Sequence, residues 1–437
     1  MKLLKYGFLC IVLLVFISSG MAQDDFGIQS GFGILAPNAE IIETVYDNRS
    51  IAMGKTAITT ARESGAIFSN SSILATFSEP QIQVGGKLLY GTITAEALSE
   101  LDRYDSYEAK YPTFPSRSYL ALAVPYRLPD TQLKLVFGVG YQRNEGVKVE
   151  EEAAWSVEDW SESKGRFVDV RVTSNSTGRS RGSLSTLTPG VALNFQDKYF
   201  FGATFNRTLG AIIGTSEGRS SDRHWKIDVE REQSALFLRL GALAELTPEL
   251  SVGLMYRPEF EWELGETIVK ITEDGDLDTE RNQDYLELTM PAMWGIGVEY
   301  EVNPEFIVAA EIQSRPFSDL EWRGDDVSER PIIDDGFNVA IGAEYLGLDF
   351  PVRIGAFRDL IPFVDENNTD PVGVTGITAG IGSLGEDEDF SWNLSGVFGR
   401  WERIVNDDGQ KYAEDLFRVG ISATYRFDTN LVSSLIR

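Results

Sequence analysis

Cysteine is almost absent. The only one, Cys10, lies near the N-terminus, so the rest of the chain folds without disulfides. Histidine is as scarce, with His224 alone. A Ser-His-Asp hydrolase would have to use it, but Arg223 and Trp225 flank it and no nucleophile motif accompanies it. It reads as a solvated loop histidine. No cluster of His and Cys offers a transition-metal site, and no Gly-rich phosphate loop follows a strand and opens a helix. Neither enzyme chemistry nor a cofactor is expected. Positive charge is also short: 39 Lys and Arg stand against 67 Asp and Glu, a net charge of -28. Nucleic acid is a poor partner for such a surface. After residue 80 there is no strong helical period, no Pro/Ser linker and no low-complexity tract. Nor does any later apolar stretch reach the roughly 18 residues of a membrane helix. One large all-β domain fits these absences best.

The first residues stand apart. Lys2 and Lys5 precede the apolar run 7–17, and Ser18-Ser19-Gly20-Met21-Ala22 is a small-residue cleavage site. Residues 1–22 therefore read as a secretory signal peptide, with Cys10 inside it.

What is present is a rhythm. Fourteen strand-like segments are expected at 81–95, 117–127, 132–145, 184–195, 199–213, 234–246, 250–270, 284–302, 306–322, 337–346, 350–358, 375–383, 390–401 and 416–427. Their connections alternate between short turns and long polar loops such as 96–116, 146–183 and 214–233. A closed up-and-down barrel in an outer membrane sorts its loops in this way, one rim facing the periplasm and the other the medium, and an even count puts both barrel ends on the periplasmic side. Alternation supports the strands. Leu286, Leu288, Met290, Ala292, Trp294, Ile296, Val298 and Tyr300 form one expected face, against Glu287, Thr289, Pro291, Met293, Gly295, Gly297 and Glu299, where only Met293 breaks the pattern. Likewise Val252, Leu254, Tyr256, Phe260, Trp262 and Leu264 are expected on one face. Tyr, Phe and Trp recur near segment ends, as interfacial girdles require. The segment 167–174, within the longest loop, is a candidate extra hairpin strand. Acidic residues solubilise the loops; Asp274, Asp276 and Asp278 alternate as in a calcium loop, but Tyr285 stands where the closing Glu belongs.

Residues 23–80 lack barrel alternation. Ala52, Gly54, Ala57 and Ala61 have helix-like spacing, and Ile51, Met53, Ile58, Ile67, Phe68, Ile73, Leu74 and Phe77 are too apolar for a disordered leader. The lumen is the available burial place, so 23–80 reads as an N-terminal plug, 81–427 as the barrel and 428–437 as a short tail. The chain resembles the FadL-type family of outer-membrane channels for long-chain fatty acids and other hydrophobic compounds. The resemblance is carried by 49–57, by Ala66-Ile67-Phe68-Ser69-Asn70, by Leu288-Thr289-Met290-Pro291-Ala292-Met293-Trp294 with Val302-Asn303-Pro304-Glu305-Phe306, and by Ala340-Ile341-Gly342-Ala343-Glu344-Tyr345 with 352–357. It implies a fourteen-stranded barrel closed by a hatch, an apolar pocket near the surface, and sideways exit through a gap in the wall. Two departures stand out. Asn70-Ser71-Ser72 replaces the family's Asn-Pro-Ala, and Phe427 is followed by ten more residues rather than ending the barrel.

The expectation is a bacterial outer-membrane, monomeric channel for passive uptake of a hydrophobic ligand, contacting outer-membrane lipids. The alternative is a plugged barrel that anchors or assembles surface proteins on its acidic loops. Phe68, Asn70, Ser71, Lys87, Gly138 and Gly140 are the candidate ligand-binding or gating residues. Gly138 or Gly140 is a candidate wall kink, or else packs against the plug. Lys87, Arg103, Lys110 and Arg117 are candidate cations for a carboxylate ligand.

Overall fold

The computed structural model describes residues 47–98, 104–128, 133–145, 148–161, 166–219, 224–271, 281–324, 333–364, 371–383, 389–404 and 411–427. The expected signal peptide at 1–22, residues 23–46 of the expected plug, Arg103, the Asp274–Asp278 run and the expected tail at 428–437 lie outside the described residues, as do the side chains of Lys110, Arg117 and His224.

The strands are β1 (Gln81–Leu98), β2 (Tyr104–Arg127), β3 (Leu133–Glu145), β4 (Lys148–Ser161), β5 (Arg166–Phe195), β6 (Tyr199–Arg219), β7 (His224–Thr247), β8 (Leu250–Arg257), β9 (Phe260–Ile271), β10 (Arg281–Met290), β11 (Met293–Asn303), β12 (Phe306–Arg315), β13 (Glu321–Gly324), β14 (Gly336–Tyr345), β15 (Val352–Val364), β16 (Pro371–Gly382), β17 (Phe390–Ile404) and β18 (Lys411–Arg426). All are antiparallel to their neighbours. β1 pairs with β2 on one side and, from Gln81↔Arg426 to Glu96↔Lys411, with β18 on the other, which closes the barrel. Four staves are made of two strands each. β3 and β4 run in the same direction along β5, so they are one stave; β8 with β9, β10 with β11, and β12 with β13 are the others. Eighteen strands thus form fourteen staves.

Several segments expected as long loops are strand instead. β4 pairs with β5 from Lys148↔Arg179 to Ser161↔Arg166, and β6 with β7 out to Arg219↔His224. The hairpin strand expected at 167–174 is the upper part of β5. These extensions escape a periodicity reading because two-residue alternation marks a strand only where one face is dry and the other wet. The rim is uneven as a result: β5 has 30 residues and β14 has 10.

The barrel is inside out relative to a soluble sheet. Phe137, Val139, Leu187, Phe201, Phe205, Leu254, Ile341, Ile354 and Ile377 are exposed large apolar residues. Thr186, Thr188, Thr204, Asn206 and Gln233, on the alternate positions, are buried. An outward apolar belt over a polar interior is what a hydrocarbon surround stabilises. Tyr126, Phe195, Tyr199, Tyr300, Tyr345 and Tyr425 are exposed near strand ends. No helix among the described residues is long and apolar enough to cross a membrane.

The lumen is occupied by residues 47–80. Short helices at Asn48–Ala52 and Ala57–Thr60 are followed by 3₁₀ turns at Ser64–Phe68 and Ser71–Thr76. None is long enough to persist alone in water; caps and wall contacts hold them. Asp47 caps the first helix, accepting from Arg49 N at 2.9 Å and Ser50 N at 3.1 Å. Asn70 caps the last turn, accepting from Ser72 N at 3.2 Å. Between the two helices Gly54 and Lys55 take positive φ, 73° and 71°, to reverse the chain.

Candidate functional site

Wall glycines set how closely this inner segment sits. A Cβ on Gly140 would lie 2.5 Å from Phe68 Cε1, and one on Gly138 would lie 2.8 Å from Ile67 Cδ1. On β8 and β11, Gly253 and Gly297 would meet Ile58 at 2.7 and 2.9 Å. Gly202 and Gly241 face the Asn70–Ser72 turn, Gly342 and Gly355 face Met53 and Gly54, and Gly420 faces Asn48. The contact footprint runs around most of the circumference, so the lumen at this level is filled.

Two kinds of chemistry fasten the segment. Residues 47–63 are held by charge. Glu344 on β14 is shared by Arg49 of the plug and by Arg353 of β15, whose Nε donates to Glu344 Oε1 at 2.6 Å. Arg353 Nη1 donates to Asn393 Oδ1 at 2.7 Å, and Asn393 Nδ2 donates to Glu63 Oε1 at 3.1 Å. Lys55 pairs with Asp359 and lies over the Phe357 ring, 3.8 Å from its centroid. Glu311 accepts from Ile58 N at 2.8 Å. Burial, and after it the nearby Asp47, raises the Glu63 carboxyl above the ordinary carboxylate range.

Residues 64–77 are held mainly by packing. Ile67, Phe68, Ile73, Leu74 and Phe77 form one core with Tyr119, Ala121, Val136, Ala192, Phe200 and Leu243 of the wall. Phe68 meets Tyr119 edge-on at 5.8 Å. Of the residues singled out in the sequence, Phe68, Gly138 and Gly140 therefore come together. Asn70 donates to Ile58 O at 2.8 Å and to Ala242 O at 3.2 Å, and Ser71 abuts Gly202, so this pair faces β6 and β7 instead. Lys87 is buried on β1, where the β1–β2 register shifts between Lys87 and Leu88. The kink weighed for β3 is not at Gly138 or Gly140: β3 pairs one-for-one with both β2 and β5 through these positions.

The wall breaks elsewhere. β8 ends at Arg257 and β9 resumes at Phe260; β10 ends at Met290 and β11 begins at Met293; β12 ends at Arg315 and β13 begins at Glu321. Each gap holds a proline, Pro258, Pro291 and Pro316, which cannot donate to a ladder. The three staves are adjacent, so the breaks form a seam at one level. The seam also corrects the expected faces. Below it, Leu254, Tyr256, Trp294 and Ile296 are exposed on the outer belt. Above it, Phe260, Trp262, Leu288 and Met290 are buried with Ala235, and Phe237 and Leu320 pack on them. Trp262 is register-paired with Ala235, on the alternation of β7 that also carries the inward Arg239. The apolar residues have moved from the outer face to the lumen. Sequence periodicity missed this because the parity changes inside what looked like continuous segments. Three prolines in alternating runs were the available signal.

At the foot of the apolar patch are three arginines, Arg239, Arg257 and Arg315, all buried. Arg239 donates to Phe68 O of the plug, and its guanidinium lies 5.7 Å from the Phe237 ring centroid. Arg257 donates to Pro291 O at 3.3 Å and sits 4.9 Å from the Phe260 ring centroid. Phe237 and Phe260 are 4.7 Å apart, so cations and rings form one connected surface.

With that geometry, comparison with solved structures decides the architecture. The fold is that of the FadL-type barrels. A Pseudomonas aeruginosa FadL homologue aligns over 88% of this chain and 99% of its own, with TM-score 0.57 and 14% identity. The P. putida toluene transporter TodX aligns over 87% and 98%, with TM-score 0.57 and 16% identity. The Ralstonia pickettii toluene transporter TbuX aligns over 89% and 100%, with TM-score 0.55 and 15% identity. No protein-family model and no curated protein sequence matches the chain. A closed fourteen-stave FadL-type barrel with an outward apolar belt is a protein of the bacterial outer membrane.

Proposed function

We propose that the protein is a channel for passive uptake of hydrophobic small molecules, long-chain fatty acids or hydrocarbons, with residues 23–80 acting as its hatch. The observation that carries this reading is the apolar patch of Phe237, Phe260, Trp262, Leu288 and Met290 inside the lumen. A water-filled pore has no use for such a surface, since exposing it costs about 25 cal/mol per Å². A hydrophobic solute recovers that cost on docking. The plug blocks the straight path below the patch. The proline seam lies beside it, where Pro258, Pro291 and Pro316 cannot donate to the ladder, and would give an apolar solute a sideways route into the bilayer. The similar folds of the toluene transporters support the same reading. No reacting group is needed; the protein would lower a permeation barrier without chemistry.

The test is binding and flux with the purified barrel in vesicles. A long-chain fatty acid or toluene should bind, and deletion of residues 23–80 should abolish that binding. If neither ligand class binds, the uptake reading fails. If deleting the tall β4–β5 and β6–β7 hairpins removes surface proteins while hydrocarbon growth stays normal, the barrel is an anchor instead.

A further inference from the structure

We infer that the outward face of β15, β16 and β17 is a docking site for a phosphorylated lipid of the outer leaflet. Arg358, Thr375 and Arg400 take the phosphate, and Ile377, Phe398 and Phe417 lie along the acyl chains. The inference rests on the outer-membrane barrel alone and is independent of what the lumen carries.

Two consecutive outward rows define the site. In one, Arg358 of β15 pairs with Thr375 of β16, Thr375 with Arg400 of β17, and Arg400 with Asp415 of β18. In the next row towards the short-turn end, Ala356 pairs with Ile377, Ile377 with Phe398, and Phe398 with Phe417. Arg358, Thr375 and Arg400 are exposed, as are Ile377, Phe398 and Phe417, while the alternate Phe357, Thr378 and Val397 are buried. The first row therefore marks the edge of the apolar belt on this side. The Arg358 side chain lies over β16 and away from the belt: a Cβ on Gly373 would be 2.8 Å from its Nε, and Gly373 is the next outward position past Thr375 towards the long-loop end. Such snorkelling is how an arginine is accommodated at the rim of the hydrocarbon, where its charge is tolerated.

Charge complementarity selects the partner. Two strand spacings, roughly 10 Å, separate the backbones of Arg358 and Arg400, a span that two arginine side chains close around one phosphate. Guanidinium forks match phosphate oxygens, and the Thr375 hydroxyl between them is a further donor. Among the described residues Arg358 has no carboxylate partner. Asp415 lies 3.4 Å from Arg400 Nη1, with both side chains about half exposed, an ion pair that contributes little in such a setting. Two other outward sectors differ. On β9, β10 and β13, Glu261, Glu263, Glu287 and Glu321 accompany a single Arg323, a surface that repels phosphate. On β6, Arg207 stands between Leu187 and Leu236 in register, with no second arginine in those pairs. Only on β15–β17 do these sectors set paired arginines directly above an apolar row, as the head and chains of one lipid require.

The experiment uses the full-length barrel in detergent, with dioleoyl phosphatidate and dioleoylglycerol competing in equal amounts and retained lipid read by native mass spectrometry. Phosphatidate should be retained roughly ten- to a hundredfold over dioleoylglycerol, the range of a hydrogen bond to a charged group. Arg358→Gln together with Arg400→Gln should bring phosphatidate down to the level of dioleoylglycerol. Arg207→Gln, which removes an outward arginine elsewhere on the wall, should leave the preference intact. All three side chains are exposed, so thermal unfolding should be unchanged in each variant. Equal retention of the two lipids by the parent protein would overturn the inference, and so would an equal loss from Arg207→Gln, which would mean that any outward charge suffices. Displacement of phosphatidate by inorganic phosphate at the same concentration would also overturn it, since the arginines would then hold a free anion and not a lipid.

Discussion

Removing Glu344 should loosen the plug by a calculable amount. The carboxylate is 2% exposed and serves two buried arginines, Arg49 from the plug and Arg353 from the wall. Glu344→Gln keeps the shape but leaves two like charges facing each other without the carboxylate that bridges them. Breaking a buried pair from one side costs about 3–5 kcal/mol. At about 1.4 kcal/mol per factor of ten, the fraction of molecules with residues 47–63 unseated should rise roughly a hundred- to several-thousandfold. The chain carries only Cys10, so a near-isosteric Ser50→Cys background places one reporter thiol in the buried first helix. Where reclosing is fast, maleimide labelling tracks the open population. Glu344→Gln should accelerate labelling by about two orders of magnitude or more, and Glu344→Asp by less. An unchanged rate in a folded barrel would refute the reasoning. It would mean that desolvation cancels what the two arginines contribute and that packing alone seats the plug.

Other outcomes follow from the same contacts. Gly140→Leu should destabilise the seating of residues 64–77 by about 1–3 kcal/mol, the usual cost of overpacking, because even its Cβ would fall 2.5 Å from Phe68; thiol labelling at Ser72→Cys should rise while labelling at Ser50→Cys does not. Glu63 has a raised carboxyl pKa, so the folded state retains a proton that the unfolded chain releases. Its contribution to stability is greatest below the ordinary glutamate pKa of about 4.3 and falls as pH rises through the native value. Glu63→Gln should flatten that dependence in thermal unfolding measured over the same range, and a slope equal to the parent's would contradict the assignment. Asp47→Ala removes the cap that accepts from two backbone amides and should cost about 1 kcal/mol, measurable as faster labelling at Ser50→Cys.

The barrel was legible because its middle sections obey a two-residue period with one face in hydrocarbon. The expected segments at 199–213 and 390–401 lie within β6 and β17 for that reason. The upper hairpins were not legible, since 148–161 and 166–180 are polar at most positions and show no sustained two-residue apolar period. The candidate site was half legible. Phe68, Gly138 and Gly140 stood out by size, and the structure joins them; but they belong to the seating of the plug. Lys87, Arg103, Lys110 and Arg117 were candidate cations by charge alone, with nothing in the sequence to place them. The arginines that share the apolar patch come from β7, β8 and β12, and only the closed register brings these strands to one wall. Arg257 and Arg315 each precede the gap that holds a proline, a coincidence that a single-strand reading gives no reason to notice.

The ring of wall glycines restricts how the barrel could ever open. Main chain and side chains of the plug touch the wall at Gly140, Gly202, Gly253, Gly342 and Gly420, at points spread around the bore. A piston needs clearance, and here there is none; a slide or a twist as one body would drive Ile58, Phe68 and Ser71 into side chains above and below each glycine. The plug can leave only in pieces, by local melting of one section while the other stays in place. Clearance of the bore is therefore a rare and slow event by construction. On the proposed uptake reading, solutes that cross quickly would do so past a plug that has not moved.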